Sequence, residues 1–191
     1  MKQLLFIISL LIVIIIPISC DDDTSLPPYT SLLYLEDFET AENNTILNTE
    51  GFTNSAETGT MLWTEQKYDG NGYTEFLNDT DSPSAAWLIT PQIDLGDSTR
   101  TLHFQLAQHH MPQEGSKLEV FISINYNGSD ITAAQWIPLQ AKTPTIYTEW
   151  YKFISSGEIR LDGYQGKVYI GFKATHATKE AGYYLDNVKV Y

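Results

Sequence analysis

W-L-I-T-P-Q-I-D-L, residues Trp87 to Leu95, is the stretch that decides the fold. Trp87, Leu88 and Ile89 form a short continuous apolar run of the kind that a buried strand uses. Thr90-Pro91 stops it, because proline brings no N–H to a sheet ladder. Ile93 and Leu95 give a second short apolar beat, and Gly96-Asp97-Ser98 turns the chain.

Working outward, alternation takes over. Leu102, Phe104 and Leu106 alternate with His103 and Gln105, so Thr101 to Gln108 predicts a strand. Leu118, Val120, Ile122 and Ile124 alternate with Glu119, Phe121, Ser123 and Asn125, the strongest period-two signal in the chain. Val168, Ile170, Phe172 and Ala174 repeat the pattern. Trp136 to Leu139 and Tyr151 to Ile159 predict two further strands. Upstream, Leu32 to Phe38 reads as the first strand of the domain. Leu62 to Lys67 and Tyr73 to Leu77 read as a hairpin around Asp69-Gly70-Asn71-Gly72, a strong turn signal. Residues 40–60 show no clear period and read as a long polar loop; 108–116 and the stretch near Lys142 to Pro144 read as shorter loops, and Asn127-Gly128 as a turn. No convincing helix is present apart from a turn near Ile131 to Gln135. About ten short strands at regular spacing predict an all-β protein, a sandwich or barrel.

The last strand, Gly182 to Tyr191, breaks its own alternation. Leu185, Val188 and Val190 read as core residues, yet Leu185 and Val188 are three apart. A bulge at Asp186-Asn187 repairs the phase and aims the Asp186 side chain along the sheet edge.

The start of the chain is an address. Met1-Lys2-Gln3 precedes an apolar run, Leu4 to Ile16, broken only by Ser9. That run is shorter than the roughly 20 residues a membrane-spanning helix needs, and it matches the core of a secretory signal. Ser19-Cys20 resembles a bacterial lipobox, with Pro17 where leucine is commoner. The reading is a signal peptide over 1–19, lipidation at Cys20, and an acidic, proline-stiffened tether over 20–31 that includes Asp21-Asp22-Asp23 and Pro27-Pro28. The acidic triplet resembles a sorting signal for the outer surface, so the expected location is the bacterial outer membrane, lipid-anchored and surface-exposed. Residues 32–191 are left for the folded domain. Cys20 is the sole cysteine, so no internal disulfide forms.

The 191 residues carry 24 Asp+Glu against 11 Lys+Arg, a formal net charge of −13, with no basic stripe. Such a surface repels nucleic acid. Tyrosine outnumbers phenylalanine 12 to 8, which suits half-buried sheet positions and wet binding faces.

Five motifs in order carry a resemblance: W-L-I-T-P-Q-I-D-L, T-L-H-F-Q-L-A, K-L-E-V-F-I-S-I-N-Y-N-G, Y-Q-G-K-V-Y-I-G-F-K-A and Y-Y-L-D-N-V-K-V. Together, over about residues 32 to 191, they resemble the choice-of-anchor J group, related to the cleaved adhesin domains of gingipain-type proteases and more distantly to MAM domains. The resemblance implies a jelly-roll β-sandwich of two antiparallel sheets, acting outside the cell as an adhesion or ligand-binding module rather than as a catalyst. It also implies a structural calcium where the first and last strands meet, with Glu39 in D-F-E-T and Asp186 in L-D-N-V at the matching positions and Glu36 and Asp37 beside them. The acidic D-x-D-x-D loop of some relatives is reduced here to Asp69-Gly70-Asn71-Gly72.

Catalytic signatures are thin. There is no G-x-S-x-G elbow, no phosphate-binding glycine loop and no H-E-x-x-H. A serine triad or a glycosidase carboxylate pair is a matter of geometry that spacing does not decide. His109-His110 are adjacent, and neighbours on a strand point to opposite faces, so they need a loop to converge on a metal; they sit in the predicted loop 108–116, but without a Cys or H-E-x-x-H partner they read as loop surface. His103 and His176 read as sheet-face or loop residues. The aromatics are the better clue to binding. Trp63, Trp87 and Trp136 suit core closure, whereas Tyr68, Tyr73, Tyr147 and Trp150 look most loop-like and are the predicted ligand contacts. The expected function is a non-catalytic surface module with glycan as its ligand. The alternatives are a protein-binding subunit of a surface assembly, or a small hydrolase.

Overall fold

The computed structural model describes residues 31–111, 115–177 and 179–191. The leader, Cys20 and the tether up to residue 30 lie outside the described residues. Ser31–Tyr191 forms one compact unit. Fourteen strands lie among the described residues, and no helix. They are β1 (Tyr34–Glu36), β2 (Thr45–Ile46), β3 (Thr53–Thr58), β4 (Thr64–Tyr68), β5 (Asn71–Leu77), β6 (Ser84–Ile89) and β7 (Ile93–Asp94). There follow β8 (Thr101–His109), β9 (Lys117–Ser123), β10 (Ile137–Leu139), β11 (Ile154–Ser155), β12 (Ile159–Arg160), β13 (Lys167–His176) and β14 (Gly182–Val190).

The strands form two antiparallel sheets packed as a β-sandwich. One runs β11-β8-β14-β5-β4-β2, with β12 also on β8 and β1 also on β14. The other runs β10-β9-β13-β6-β3, with β7 also on β13. Alternation decides what each face shows. Leu102, Phe104 and Leu106 of β8 and Tyr183, Leu185, Val188 and Val190 of β14 face inward and meet Val168, Ile170, Phe172 and Ala174 of β13 and Leu118, Val120 and Ile122 of β9. Phe104 and Phe172 touch across the two sheets edge to face, their centroids 5.1 Å apart. Trp63 closes the core, fully buried, its ring 5.7 Å from that of Phe76.

The bulge expected in the last strand is present. The β14–β8 register shifts between Asp186 and Lys189, and Asn187 has φ 53°. It falls where β14 exchanges partners, from β5 at Gly182–Leu185 to β1 at Val188–Val190. The β4–β5 hairpin turns through Asp69-Gly70, both at positive φ, as a two-residue turn requires.

Three expectations need correction. Residues 40–60 are not all loop, because β3 lies along β6 and β2 along β4. T-N-S-A-E-T shows no apolar alternation because β3 is an edge strand held by its backbone. The Tyr151 to Ile159 strand is two short pieces, interrupted at Gly157 with φ 76°. The first strand is shorter than Leu32 to Phe38: Leu32 is exposed, and the chain leaves the sheet at Asp37.

Candidate functional site

The outer face of the larger sheet holds a cleft of about 590 Å³. Period-two geometry builds it: Tyr73 of β5, Tyr184 and Asp186 of β14 and Gln105 of β8 are strand residues that turn away from the core. Tyr68 and Asn71 come from the two sides of the β4–β5 turn. Tyr151 and Phe153 come from the segment leading into β11. That segment is pinned from below: Tyr151 N–H donates to the Gln108 carbonyl at 2.9 Å, and the buried Gln108 amide donates to the Thr148 carbonyl.

The rings brace one another. Tyr73 lies 4.8 Å from Tyr184 and 5.8 Å edge-on from Phe153, and Tyr151 lies 6.1 Å from Tyr184. Tyr68 is 77% exposed and Tyr151 55% exposed, so the walls offer open aromatic faces. Burial, reinforced by the nearby Glu75 carboxylate, pushes the Tyr184 and Tyr73 hydroxyls above the ordinary tyrosine range, so both stay neutral donors.

Asp186 forms part of the floor and is almost wholly buried. Its carboxylate accepts from Asn71 Nδ2 at 3.1 Å and from Asn187 N–H at 2.5 Å. Burial raises its pKa, the hydrogen bonds oppose that rise, and repulsion from Glu39 adds to it. Glu36, raised first by burial, also feels Asp186.

Glu39 and Asp186, the residues matched to a calcium, are therefore electrostatic neighbours. The loop carrying Glu36 to Glu39 presses on β5 where Gly72 leaves room for the Phe38 carbonyl. Calcium needs about six to eight oxygens. Among the described residues no three His, Cys, Asp or Glu gather to hold a metal ion, and the matched pair supplies two carboxylates. Lys67 Nζ already donates to the Glu39 carbonyl at 2.9 Å.

Of the four aromatics singled out in the sequence, Tyr68 and Tyr73 line the cleft; Tyr147, 90% exposed, and Trp150, which packs on His110, do not. Tyr151, Phe153, Tyr184, Asn71 and Gln105 line it without having been singled out as ligand contacts. The signal for Tyr184 was present in Y-Y-L-D-N-V: with Leu185 and Tyr183 inward, Tyr184 turns outward.

No protein-family model matches the chain, and no curated protein matches it. Solved structures do. The K2 cleaved adhesin domain of Lys-gingipain is similar at TM-score 0.57 and 14% identity, covering 83% of this chain and 98% of that one. The K1 cleaved adhesin domain of Lys-gingipain from Porphyromonas gingivalis W83 is similar at TM-score 0.55 and 17% identity, covering 83% and 96%. TmCBM61, solved in complex with β-1,4-galactotriose, is similar at TM-score 0.52 and 16% identity, covering 81% and 93%. At these identities the likeness is one of fold: this domain and those share a β-sandwich.

Proposed function

We propose that this chain is a non-catalytic surface module that binds glycan in the tyrosine-walled cleft. The observation that carries the reading is the set of part-open rings of Tyr68, Tyr73 and Tyr151, braced by the nearly buried Tyr184, around a polar floor of Asn71, Gln105 and Asp186. Apolar walls with a few placed polar groups are what a small-molecule site needs. Sugar C–H faces pack on such rings, and the amides and carboxylate meet the hydroxyls. Tyr147 and Trp150 are secondary contacts for a ligand longer than the cleft. Glycoside hydrolysis ordinarily uses two carboxyl groups, and among the described residues Asp186 is the one carboxylate lining the cleft. The fold shared with TmCBM61, a galactotriose complex, makes β-linked oligosaccharides the first ligands to try.

The same reading assigns the chain to the choice-of-anchor J group, anchors it by lipid at Cys20 on the bacterial outer membrane, and has Glu39 and Asp186 share a structural calcium. Support for the calcium is the buried Asp186 carboxylate facing Glu39, with no ion pair to Lys, Arg or His among the described residues.

Amide NMR on residues 31–191 titrated with a panel of oligosaccharides tests the site. Shifts confined to Tyr68, Tyr73, Tyr151, Tyr184 and their strand neighbours are expected. Saturable shifts elsewhere would move the site. No shifts with any glycan, together with capture of a protein from the cell surface, would favour the protein-binding alternative.

A further inference from the structure

His109 and His110 stand at the end of β8, behind the cleft wall. Neighbours on a strand diverge, but these two converge. His110 has φ 52°, the left-handed region that is strained for a non-glycine residue. The reversal turns its ring back, and the two Nδ1 atoms lie 2.9 Å apart with the ring planes at 88°.

The surroundings hold His109 in one orientation. It is 7% exposed, and its Nε2 lies 3.0 Å from Oε1 of Glu75, itself 6% exposed. A carboxylate accepts there from Nε2–H, so the Nδ1 lone pair is left pointing at His110. Tyr151 stacks on the His109 ring at 5.4 Å, and Gly182 lacks the side chain that would overlap it. An imidazole oriented by a carboxylate, with its other nitrogen left as an acceptor, is the arrangement that metal-binding histidines use.

The spacing is that of an N–H···N hydrogen bond, and it also suits one class of metal geometry. Two nitrogens bound at about 2.0–2.1 Å and subtending a right angle sit roughly 2.9 Å apart, whereas a tetrahedral angle separates them by roughly 3.3 Å. A right angle is the cis angle of a tetragonal site, the preference of copper(II) and nickel(II). We propose that Nδ1 of His109 and Nδ1 of His110 form a two-nitrogen site for a divalent copper- or nickel-type ion, with Glu75 as the positioning carboxylate. Water fills the remaining positions. Without metal, His110 Nδ1–H donates to His109 Nδ1; when the ion takes the place of that hydrogen, the proton moves to Nε2 of the same neutral His110 ring. Trp150, whose ring centroid is 4.0 Å from that of His110, is a built-in reporter.

Residues 31–191, which form a compact unit, are titrated with copper(II), nickel(II) and zinc(II) chloride. Calorimetry, tryptophan emission and copper electron paramagnetic resonance are followed. One copper per chain is expected at micromolar affinity or tighter, with partial quenching of emission, two-nitrogen hyperfine structure, and affinity in the order copper over nickel and zinc. His110→Gln lowers the copper affinity at least about 30-fold without lowering the thermal midpoint. Glu75→Gln, which keeps both donors, lowers it roughly 10–100-fold. His103→Gln, beyond the pair, leaves it unchanged. Absence of saturable binding, or His110→Gln binding copper as tightly and with the same resonance as the wild type, overturns the proposal and leaves only ions collected by an acidic surface.

Discussion

On the outer face of the six-stranded sheet, Trp87, Phe121, Tyr126, Trp136 and Tyr169 pack with Ile131 and Ala134 of the chain's own β9–β10 connection; on the outer face of the eight-stranded sheet, Tyr68, Tyr73 and Tyr151 have no such cover, and the nearly buried Tyr184 packs against Tyr73 and Tyr151. Both faces are aromatic. They differ in how the rings are finished. On the covered face, Trp87 Nε1 donates to Glu57 at 2.6 Å, Trp136 Nε1 donates to the Ile131 carbonyl at 3.0 Å, and Tyr126 hydroxyl meets Thr53 Oγ1 at 3.2 Å. Burial would raise the Glu57 pKa, but hydrogen bonds from Lys173 and Trp87 outweigh it and hold the carboxyl below its usual range. Gly171 leaves room for the edges of Trp87 and Trp136 above it. That face is a second small core. On the other face the rings brace one another while Tyr68 and Tyr151 stay more than half exposed. Aromatic content therefore says little about binding; cover decides whether a ring contributes to stability or to recognition.

The largest expected effect breaks the covered face. Trp87→Ala removes a nearly buried indole and is expected to cost about 3–5 kcal/mol in urea unfolding. Glycan affinity per folded molecule stays within about twofold, because Trp87 is on the other sheet. A loss of affinity with unchanged stability would invert the assignment of the two faces.

Acid separates both faces from the interior. His176 is buried between Phe76 and Tyr183, its Nε2 donating to the Phe76 carbonyl. Burial pushes its pKa down from 6.5 to about 4. The folded value lies below the unfolded one, so the unfolded chain binds the proton more readily. Stability is full above about pH 6.5 and falls as the pH drops towards about 4, by roughly 3 kcal/mol on this group alone. Denaturation at stepped pH checks this, and His176→Gln should flatten that part of the profile.

The open face is tested by Tyr73→Ala combined with Tyr151→Ala. Glycan affinity is expected to drop at least about 100-fold, which is near 2.7 kcal/mol in binding, and unfolding to change by no more than about 1–2 kcal/mol.

The smallest effect is at the cleft floor. Asp186 has a raised carboxyl pKa, so its ionised form weakens the fold at neutral pH, and that penalty eases as the pH falls through the folded value. In EDTA, Asp186→Asn should change stability by less than about 1 kcal/mol. In calcium, the wild type should melt higher than in EDTA and Asp186→Asn should not. A wild type that melts identically in both buffers counts against the calcium.

Period-two reading found β8, β9, β13 and β14, and the three-residue gap between Leu185 and Val188 located the bulge, because a buried face enforces its pattern residue by residue. β2 and β3 escaped it because backbone pairing with β4 and β6 asks little of their side chains. In the site, Tyr68 and Tyr73 stood out beside a turn whose register is set by two residues. Phe153 and Tyr184 did not, because a predicted strand does not say which of its faces lies under a neighbouring segment. Sequence reading left the convergence of His109 and His110 open for a related reason: it depends on one positive φ that histidine does not announce.

The most direct measurement is a glycan array probed with residues 31–191, the wild type beside the Tyr73→Ala, Tyr151→Ala pair, in calcium and again in EDTA. Saturable wild-type binding to a defined set of glycans, lost in the double variant, is the predicted result. Undiminished binding by the double variant, or no glycan bound by the wild type in either buffer, would contradict the open aromatic face as a sugar site.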